Sequence, residues 1–251
     1  MIKVLVIQTD NRDYVDYVGL SKLTNKRQVE RLNQLQESKP SNPKIEFINR
    51  FVVLEPRFYQ NINPATAKIN VLQELLNNAT EDYIVFLDTD AWIQTPEYLI
   101  QLILMLNDKP HIHGAYSRDP YLIENDYINS GSFILKIDDY NREMYKEIKA
   151  DLDADPSRHH SWSYDQYYIS KHIHRRKDDF LIFIPHILNT PDGIILRHSW
   201  WKNYKLFGDL YAVLDCHNNN TFKTPEWVDI TSFLDNAPYP NPDDSGHRYR
   251  Y

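Results

Sequence analysis

The stretch Tyr83-Ile84-Val85-Phe86-Leu87-Asp88-Thr89-Asp90 decides the fold. Five apolar residues run unbroken and stop on two carboxylates one residue apart. A short continuous apolar run bounded by polar residues reads as a buried strand. Upstream, Ile69, Leu72, Leu75, Leu76 and Ala79 recur at helical spacing, and Pro64 suits the first turn of that helix. Further back, residues 2–8 read as a strand opening into the polar Gln8-Thr9-Asp10-Asn11. Residues 22–37 read as a helix with Val29, Leu32 and Leu35 as its apolar stripe, and 45–54 as a second strand. Downstream, 96–107 reads as a helix and 111–116 as a strand. Strands alternating with helices over the first 117 residues predict an α/β sheet covered by helices on both faces. In such sheets ligands bind beyond the carboxyl ends of the strands, where Asp88 and Asp90 fall.

The second half is less regular. Tyr127 to Ile137 reads as a strand carrying Asn129-Ser130-Gly131-Ser132, residues 139–151 as a charged helix, and 155–162 as a loop. A Tyr-rich helix follows at 163–173, then short strands at 180–184 and 194–197. No repeat or linker divides the chain. One domain is expected over 1–235, followed by an extended tail, 236–251, containing Pro238, Pro240 and Pro242.

Composition narrows the function. The 251 residues carry 28 Lys plus Arg against 35 Asp plus Glu, a net charge of −7. Nucleic-acid binding calls for a basic footprint, so that partner is not expected. Hydrophobic residues make up 42% and charged residues 25%, ordinary for a soluble globular protein. No apolar run approaches the roughly 20 residues of a membrane span. The opening Met1 to Ile7 reads as a strand rather than a signal peptide. Cys216 is the single cysteine, which excludes an internal disulfide and a Cys-rich zinc site and fits a reducing, cytoplasmic compartment. The 6 glycines form neither G-x-G-x-x-G nor a P-loop, which argues against dinucleotide dehydrogenases and P-loop kinases.

Asp-x-Asp alone carries little. With 24 Asp in the chain, chance supplies about two such triplets. The sequence holds three, at 88/90, 151/153 and 153/155. Context separates them. Only the first ends an apolar strand, where paired charges serve no packing purpose; the others sit in a charged helix end and loop. Two carboxylates at such a turn can hold Mg²⁺ or Mn²⁺, which take oxygen ligands together with substrate phosphates. The bland alternative is a turn with solvated acids. His198 lies beyond a short strand in Leu196-Arg197-His198-Ser199-Trp200-Trp201-Lys202, with Lys205 close behind. It could complete a metal shell or simply pack beside tryptophan. Asp165 and Gln166 open a helix, where an acid is favoured by the dipole, yet Asp165 could also face a sugar with Trp162 as a stacking wall. Asn129 offers both donor and acceptor, and Gly131 allows close approach of a ligand or marks a bulge.

Four segments occur in a telling order: Phe86-Leu87-Asp88-Thr89-Asp90-Ala91-Trp92-Ile93, Ile128-Asn129-Ser130-Gly131-Ser132-Phe133-Ile134-Leu135-Lys136, Tyr164-Asp165-Gln166 and Arg197-His198. Together they resemble GT-A glycosyltransferases, most closely the galactosyl/xylosyltransferase group of galactomannan galactosyltransferases and xyloglucan xylosyltransferases. The likeness spans roughly residues 2–207, and a looser echo of glycogenin-like transferases runs from His198 to Lys205.

The resemblance implies a single Rossmann-like GT-A domain and a metal-dependent transfer from a nucleotide sugar, UDP-linked, to a glycan or glycoprotein hydroxyl. It implies that Asp88, Asp90 and His198 bind Mn²⁺ or Mg²⁺. Thr9, Asp10, Tyr14, Lys68, Thr89, Arg118, Asp119, Asn129, Lys202 and Lys205 would meet the donor, and Trp162 and Gly131 the acceptor. Asp165 and Gln166 would act at the reacting sugar. If configuration is retained, as in the closest families, the leaving phosphate takes the acceptor proton; if it is inverted, Asp165 is the candidate base. Eukaryotic relatives carry a membrane span and often cysteines. Their absence here suggests a bacterial or viral enzyme working in the cytoplasm, the host's if viral. The Asn, Ile, Lys and Tyr content suggests an AT-rich genome such as that of a large DNA virus.

The sequence also fits two other readings. A haloacid-dehalogenase-type phosphatase also uses Asp-x-Asp after a strand, but it calls for Thr or Val where Trp92 stands, and for an Asp nearer the domain start. A non-catalytic carbohydrate-binding protein would explain the 5 Trp and 18 Tyr without metal-dependent turnover.

Overall fold

The structure is a computed structural model that describes residues 1–12, 16–120, 127–161, 163–199, 204–222 and 229–234. Tyr14, Trp162, Lys202 and the 236–251 tail lie outside the described residues.

The strands are β1 (Ile2–Asp10), β2 (Ile45–Val53), β3 (Tyr83–Leu87), β4 (Ala91–Ile93), β5 (Gly114–Arg118), β6 (Ile128–Lys136), β7 (Leu181–Phe183) and β8 (Leu196–His198). The helices are α1 (Asp16–Ser38), α2 (Pro56–Tyr59), α3 (Lys68–Asn78), α4 (Pro96–Asn107), α5 (Asp139–Ala154), α6 (Asp165–Arg175), α7 (Pro185–Leu188) and α8 (Tyr204–Asn219). Six strands form one sheet in the order β2-β1-β3-β6-β5-β7. All are parallel except β6, which runs antiparallel to both neighbours. β4 and β8 pair separately, antiparallel.

The strand sequences are apolar throughout because both faces are covered. In β3, Tyr83, Val85 and Leu87 enter one core layer while Ile84 and Phe86 enter the other. β1 divides in the same way, with Ile2, Val4 and Val6 on one face and Leu5 and Ile7 on the opposite one. Leu99, Leu102 and Leu106 of α4 and Leu32 of α1 cover the first layer. The second is covered by Ile69, Leu72 and Leu76 of α3, Tyr145 and Ile148 of α5, and Ile169 and Ile173 of α6. A fully buried aliphatic side chain contributes about 1.5–3 kcal/mol relative to exposure, so these two layers hold the sheet rigid behind its carboxyl edge.

The structure corrects several boundaries. α1 begins at Asp16, six residues before the periodicity suggested. Pro64 does not open α3. Asn63 turns the chain first, its Oδ1 accepting from Ala65 N at 2.9 Å and its carbonyl from Thr66 N and Ala67 N, and the helix starts at Lys68. The strand expected at 111–116 starts at Gly114, after a turn closed by Ile112 N and the Lys109 carbonyl, and it includes Arg118. The short elements β4, α2 and α7 and the long α8 had no sequence assignment. Three or four residues carry too little periodicity, and α8 packs on α1 through a thin stripe of Leu206, Leu210 and Val213 beside Trp92.

His217 of α8 ties this packing to pH. Gln28 donates to the Ile93 carbonyl at 2.7 Å, which turns its Oε1 to His217 Nε2 at 3.1 Å. The ring also meets Phe222 edge to face. Burial, aided by Arg31 and Arg27, lowers the imidazole pKa to about 4. The folded state therefore favours the neutral ring. That stability is complete above the unfolded value of about 6.5 and is lost as pH falls from there to about 4. Thermal melts of wild type and His217→Gln should differ accordingly: the melting temperature of the variant should fall less steeply between pH 6.5 and 4. Parallel slopes would show that His217 is not the titrating group.

Candidate active site

The sheet edge formed by the end of β3 gathers residues far apart in sequence. β6 is antiparallel, so its beginning, not its end, lies beside the carboxyl end of β3. The register pairs Leu87 with Ser132, and Asp88 N donates to the Gly131 carbonyl at 2.7 Å. The two-stranded ribbon then aligns Ala91 with His198, and Ser199 N donates to the Asp90 carbonyl at 2.8 Å. Two backbone pairings thus deliver Asn129, Gly131 and His198 to the Asp-Thr-Asp turn.

His198 Nε2 lies 3.2 Å from Asp90 Oδ1 and 4.0 Å from Asp88 Oδ2. One ligand atom from each of Asp88, Asp90 and His198 falls within 4.8 Å of the others. Asp90 and His198 are buried, while Asp88 opens toward the cleft. The opposite face of the imidazole is fixed. Asn129 Oδ1 accepts from Gly131 N at 2.8 Å, and Asn129 Nδ2 donates to Asp119 Oδ2 at 2.9 Å. The amide oxygen must therefore face His198 Nδ1, 3.1 Å away, so Nδ1 carries a proton and Nε2 is the atom that can bind a metal. Burial opposes protonation of His198, but Asp90 and Asp88 outweigh it and raise its pKa. A proton on Nε2 fills the place a cation would take. Two carboxylates and one imidazole are a suitable donor set for Mn²⁺ or Mg²⁺.

Lys68, at the start of α3, is buried. Its ammonium lies 2.9 Å from Asp88 Oδ1 and 3.2 Å from Asp165 Oδ2, and donates to the Ser130 carbonyl at 2.7 Å. Burial would lower its pKa, but Asp165 and Asp88 outweigh that and raise it, so it stays charged. Burial pushes the Asp88 carboxyl pKa up, against the pull of Lys68 and His198. Asp165 is presented by a backbone turn at Tyr164, whose φ of 52° lies in the left-handed region. Such a conformation costs about 1–3 kcal/mol in a non-glycine residue. Gln166 Nε2 donates to Asp119 Oδ2 at 3.0 Å. A polar chain His198–Asn129–Asp119–Gln166 therefore connects the Asp88–Asp90–His198 cluster to the head of α6.

Beside the cluster lies a cleft of about 420 Å³. Thr9, Asp10, Lys68, Asp88, Thr89 and Asp90 all line it. Arg12 lines it too and was missed by the sequence reading, although a cation two residues after Asp10 was the available signal. The Arg12 guanidinium grips Asp10 with two hydrogen bonds, of 2.8 and 2.9 Å, its backbone N adds a third at 2.9 Å, and Asp10 accepts from the Thr89 hydroxyl at 2.8 Å. That contact locks the first loop to the Asp-Thr-Asp turn.

The remaining expected residues divide. Arg118 and Asp119 are buried at the end of β5, and Asp119 joins the polar chain. Gly131 serves His198: a Cβ there would fall 2.0 Å from the ring's Cε1, so the space expected for an acceptor is filled by imidazole. Lys205 is exposed in the first turn of α8 and is not part of the cleft lining.

No family model matches the sequence, and no curated protein matches it. Solved structures do resemble the fold. A glycosyltransferase involved in the glycosylation of the major capsid of PBCV-1 aligns with a TM-score of 0.53 and 11% identity, over 84% of this chain and 98% of its own. The galactosyltransferase LgtC, solved with donor and acceptor sugar analogues, aligns with a TM-score of 0.51 and 11% identity, over 90% and 99%. The glycosyltransferase GlyE of Streptococcus pneumoniae TIGR4 aligns with a TM-score of 0.53 and 11% identity, over 92% and 67%. The mostly parallel six-stranded sheet, flanked by helices and shared with these enzymes, is the GT-A fold.

Proposed function

We propose that this protein is a glycosyltransferase that moves a sugar from a nucleotide-sugar donor, UDP-linked, to a hydroxyl of a glycan or glycoprotein. The observation that carries this reading is the Asp88–Asp90–His198 cluster beside a polar cleft at the carboxyl edge of a GT-A sheet. A phosphatase or a metal-free lectin does not require a fixed imidazole completing that cluster. The narrower likeness to galactomannan and xyloglucan enzymes remains part of the proposal. Among the described residues no helix is long and apolar enough to cross a membrane.

Asp88, Asp90 and His198 would hold Mn²⁺ or Mg²⁺, which on binding neutralises charge on the departing diphosphate. Thr9, Asp10, Arg12 and Thr89 would form the wall against the nucleotide. Lys68 would keep Asp88 oriented and offset the carboxylates around it. The acceptor oxygen forms a bond to C1 of the sugar as the bond from C1 to the diphosphate oxygen breaks. The acceptor proton must then go to a base. Asp165 is poorly suited, because one of its oxygens faces a buried ammonium. This supports retention, with the proton passing to the departing phosphate on the same face. Gln166, anchored through Nε2, keeps its Oε1 for the sugar.

Calorimetry with UDP should show binding that strengthens at least tenfold with Mn²⁺ and is lost in Asp88→Asn/Asp90→Asn. UDP binding indifferent to Mn²⁺ and to that substitution would refute the site. Because the cation competes with a proton on His198, whose pKa is raised, Mn²⁺ affinity should rise as pH is increased through the range where His198 loses that proton.

Asn129 provides a separate test. Asn129→Ala should weaken Mn²⁺ binding about 10–100-fold, the usual cost of removing the partner that orients a metal-binding histidine. An unchanged Mn²⁺ affinity by calorimetry, in a protein that melts normally, would remove Asn129 from this role.

A further inference from the structure

α3 shows different chemistry on its two faces. Ile69, Leu72 and Leu76 enter the core. On the outer face, Asn70, Gln73, Glu74, Asn77 and Asn78 include the pairs 70/73, 70/74, 73/77, 74/77 and 74/78, spaced three or four apart, which stacks them in one stripe. This stripe is one wall of a groove of about 670 Å³, larger than the cleft. Gln60 and Asn61, in the turn after α2, continue the polar lining, and the end of α5 forms the opposite wall. Six carboxamides therefore face one groove.

Their hydrogen bonds are largely unspent. The side chains of Gln60, Asn61, Gln73 and Asn77 have no partner among the described residues. Asn70 donates to the Phe58 carbonyl at 2.7 Å and leaves its Oδ1 without a partner. The charges around the groove, in contrast, are satisfied. Arg57 bonds Glu55 at 2.9 Å and Glu74 at 3.0 Å, and Lys149 pairs with Asp153. The groove lining holds two cations, Arg57 and Lys149, and two carboxylates, Glu74 and Asp153, and so carries no net charge.

That combination selects a ligand class. A carboxamide offers both donors and an acceptor, which matches a hydroxyl that does the same. Paired rim charges give no reward to a phosphate or an acidic chain. The apolar residues of the groove, Phe58, Ile62 and Leu152, are buried, so a peptide would find no pocket for an anchoring side chain. The geometry points to a binding site for a neutral oligosaccharide along the outer face of α3.

The groove adjoins the proposed active site. Asn63, Pro64, Ala65 and Lys68 line the cleft, while the flanking Ile62 and Asn70 line the groove. Asn63 N donates to the carbonyl of His159, itself a groove residue, at 3.0 Å. A glycan held there lies along the same segment of chain that borders the reaction site. Identifying that glycan as the acceptor rests on the transferase reading; the binding site itself does not.

The test is a glycan array probed with the whole protein, without nucleotide or Mn²⁺, carrying neutral gluco-, xylo-, manno- and galacto-oligosaccharides with oligogalacturonate and peptide controls. Wild type should bind at least one neutral series, and Gln73→Ala/Asn77→Ala should bind it at least tenfold more weakly while melting no lower. Alanine is the better helix former at both positions, so the variant should fold. Asp88→Asn/Asp90→Asn should bind as wild type does, which separates this site from the metal cluster. No binding to any neutral series, binding only to the acidic or peptide controls, or equal binding by the amide variant would overturn the proposal. Loss of UDP binding without loss of glycan binding, or the reverse, identifies which of the two readings has failed.

Discussion

The site depends on one buried ammonium. The carboxyl edge of the sheet collects Asp88, Asp90, Asp119 and Asp165 into a small volume, and like charges so close repel. Lys68 meets two of them directly, at 2.9 and 3.2 Å, and bonds a backbone carbonyl as well. Breaking a buried pair of this kind costs about 3–5 kcal/mol, because the partner is left as an uncompensated charge. Its place in the chain matters equally. Lys68 is the first residue of α3, whose apolar face is set in the core. The ammonium is thereby fixed by packing that has nothing to do with chemistry.

Topology supplies what local sequence could not. Asp88 and Asn129 lie 41 positions apart, and Asp90 and His198 lie 108 apart. They meet because one strand of the sheet runs backward and because a three-residue ribbon pairs Ala91 with His198. Gly131 completes the arrangement, since any side chain there would displace the imidazole. The sequence left Gly131 open as room for a ligand or as the mark of a bulge, whereas in the fold the space beside it is taken by the His198 imidazole.

How legible each part was follows from where its information resides. The apolar run at 83–87 and the stripe of α3 state their own structure, since burial on two faces or one leaves a local pattern. Asp88 and Asp90 stood out because charge at the end of an apolar strand has no packing reason. The direction of β6 was not readable, because a strand buried on both faces looks the same in either direction. Nor was the bond of Asn129 to His198, which exists only in three dimensions. Arg12 was hidden for a different reason. Its one local cue was a cation two residues after Asp10, and its meaning comes from its grip on Asp10 and from the bond of Asp10 to Thr89.

The same geometry constrains chemistry under the transferase reading. A carboxylate that abstracts a proton must offer a lone pair to the acceptor. Asp165 is buried with one oxygen on Lys68, and Lys68 in turn holds Asp88. Freeing Asp165 to act as a base would therefore disturb the carboxylate expected to hold the metal. The departing diphosphate carries no such conflict, for it becomes more basic as the bond to the sugar breaks. An arrangement in which the leaving group takes the proton leaves the Lys68 pairings intact through the reaction. In it, Asp165 and Gln166 have only to steady charge and position.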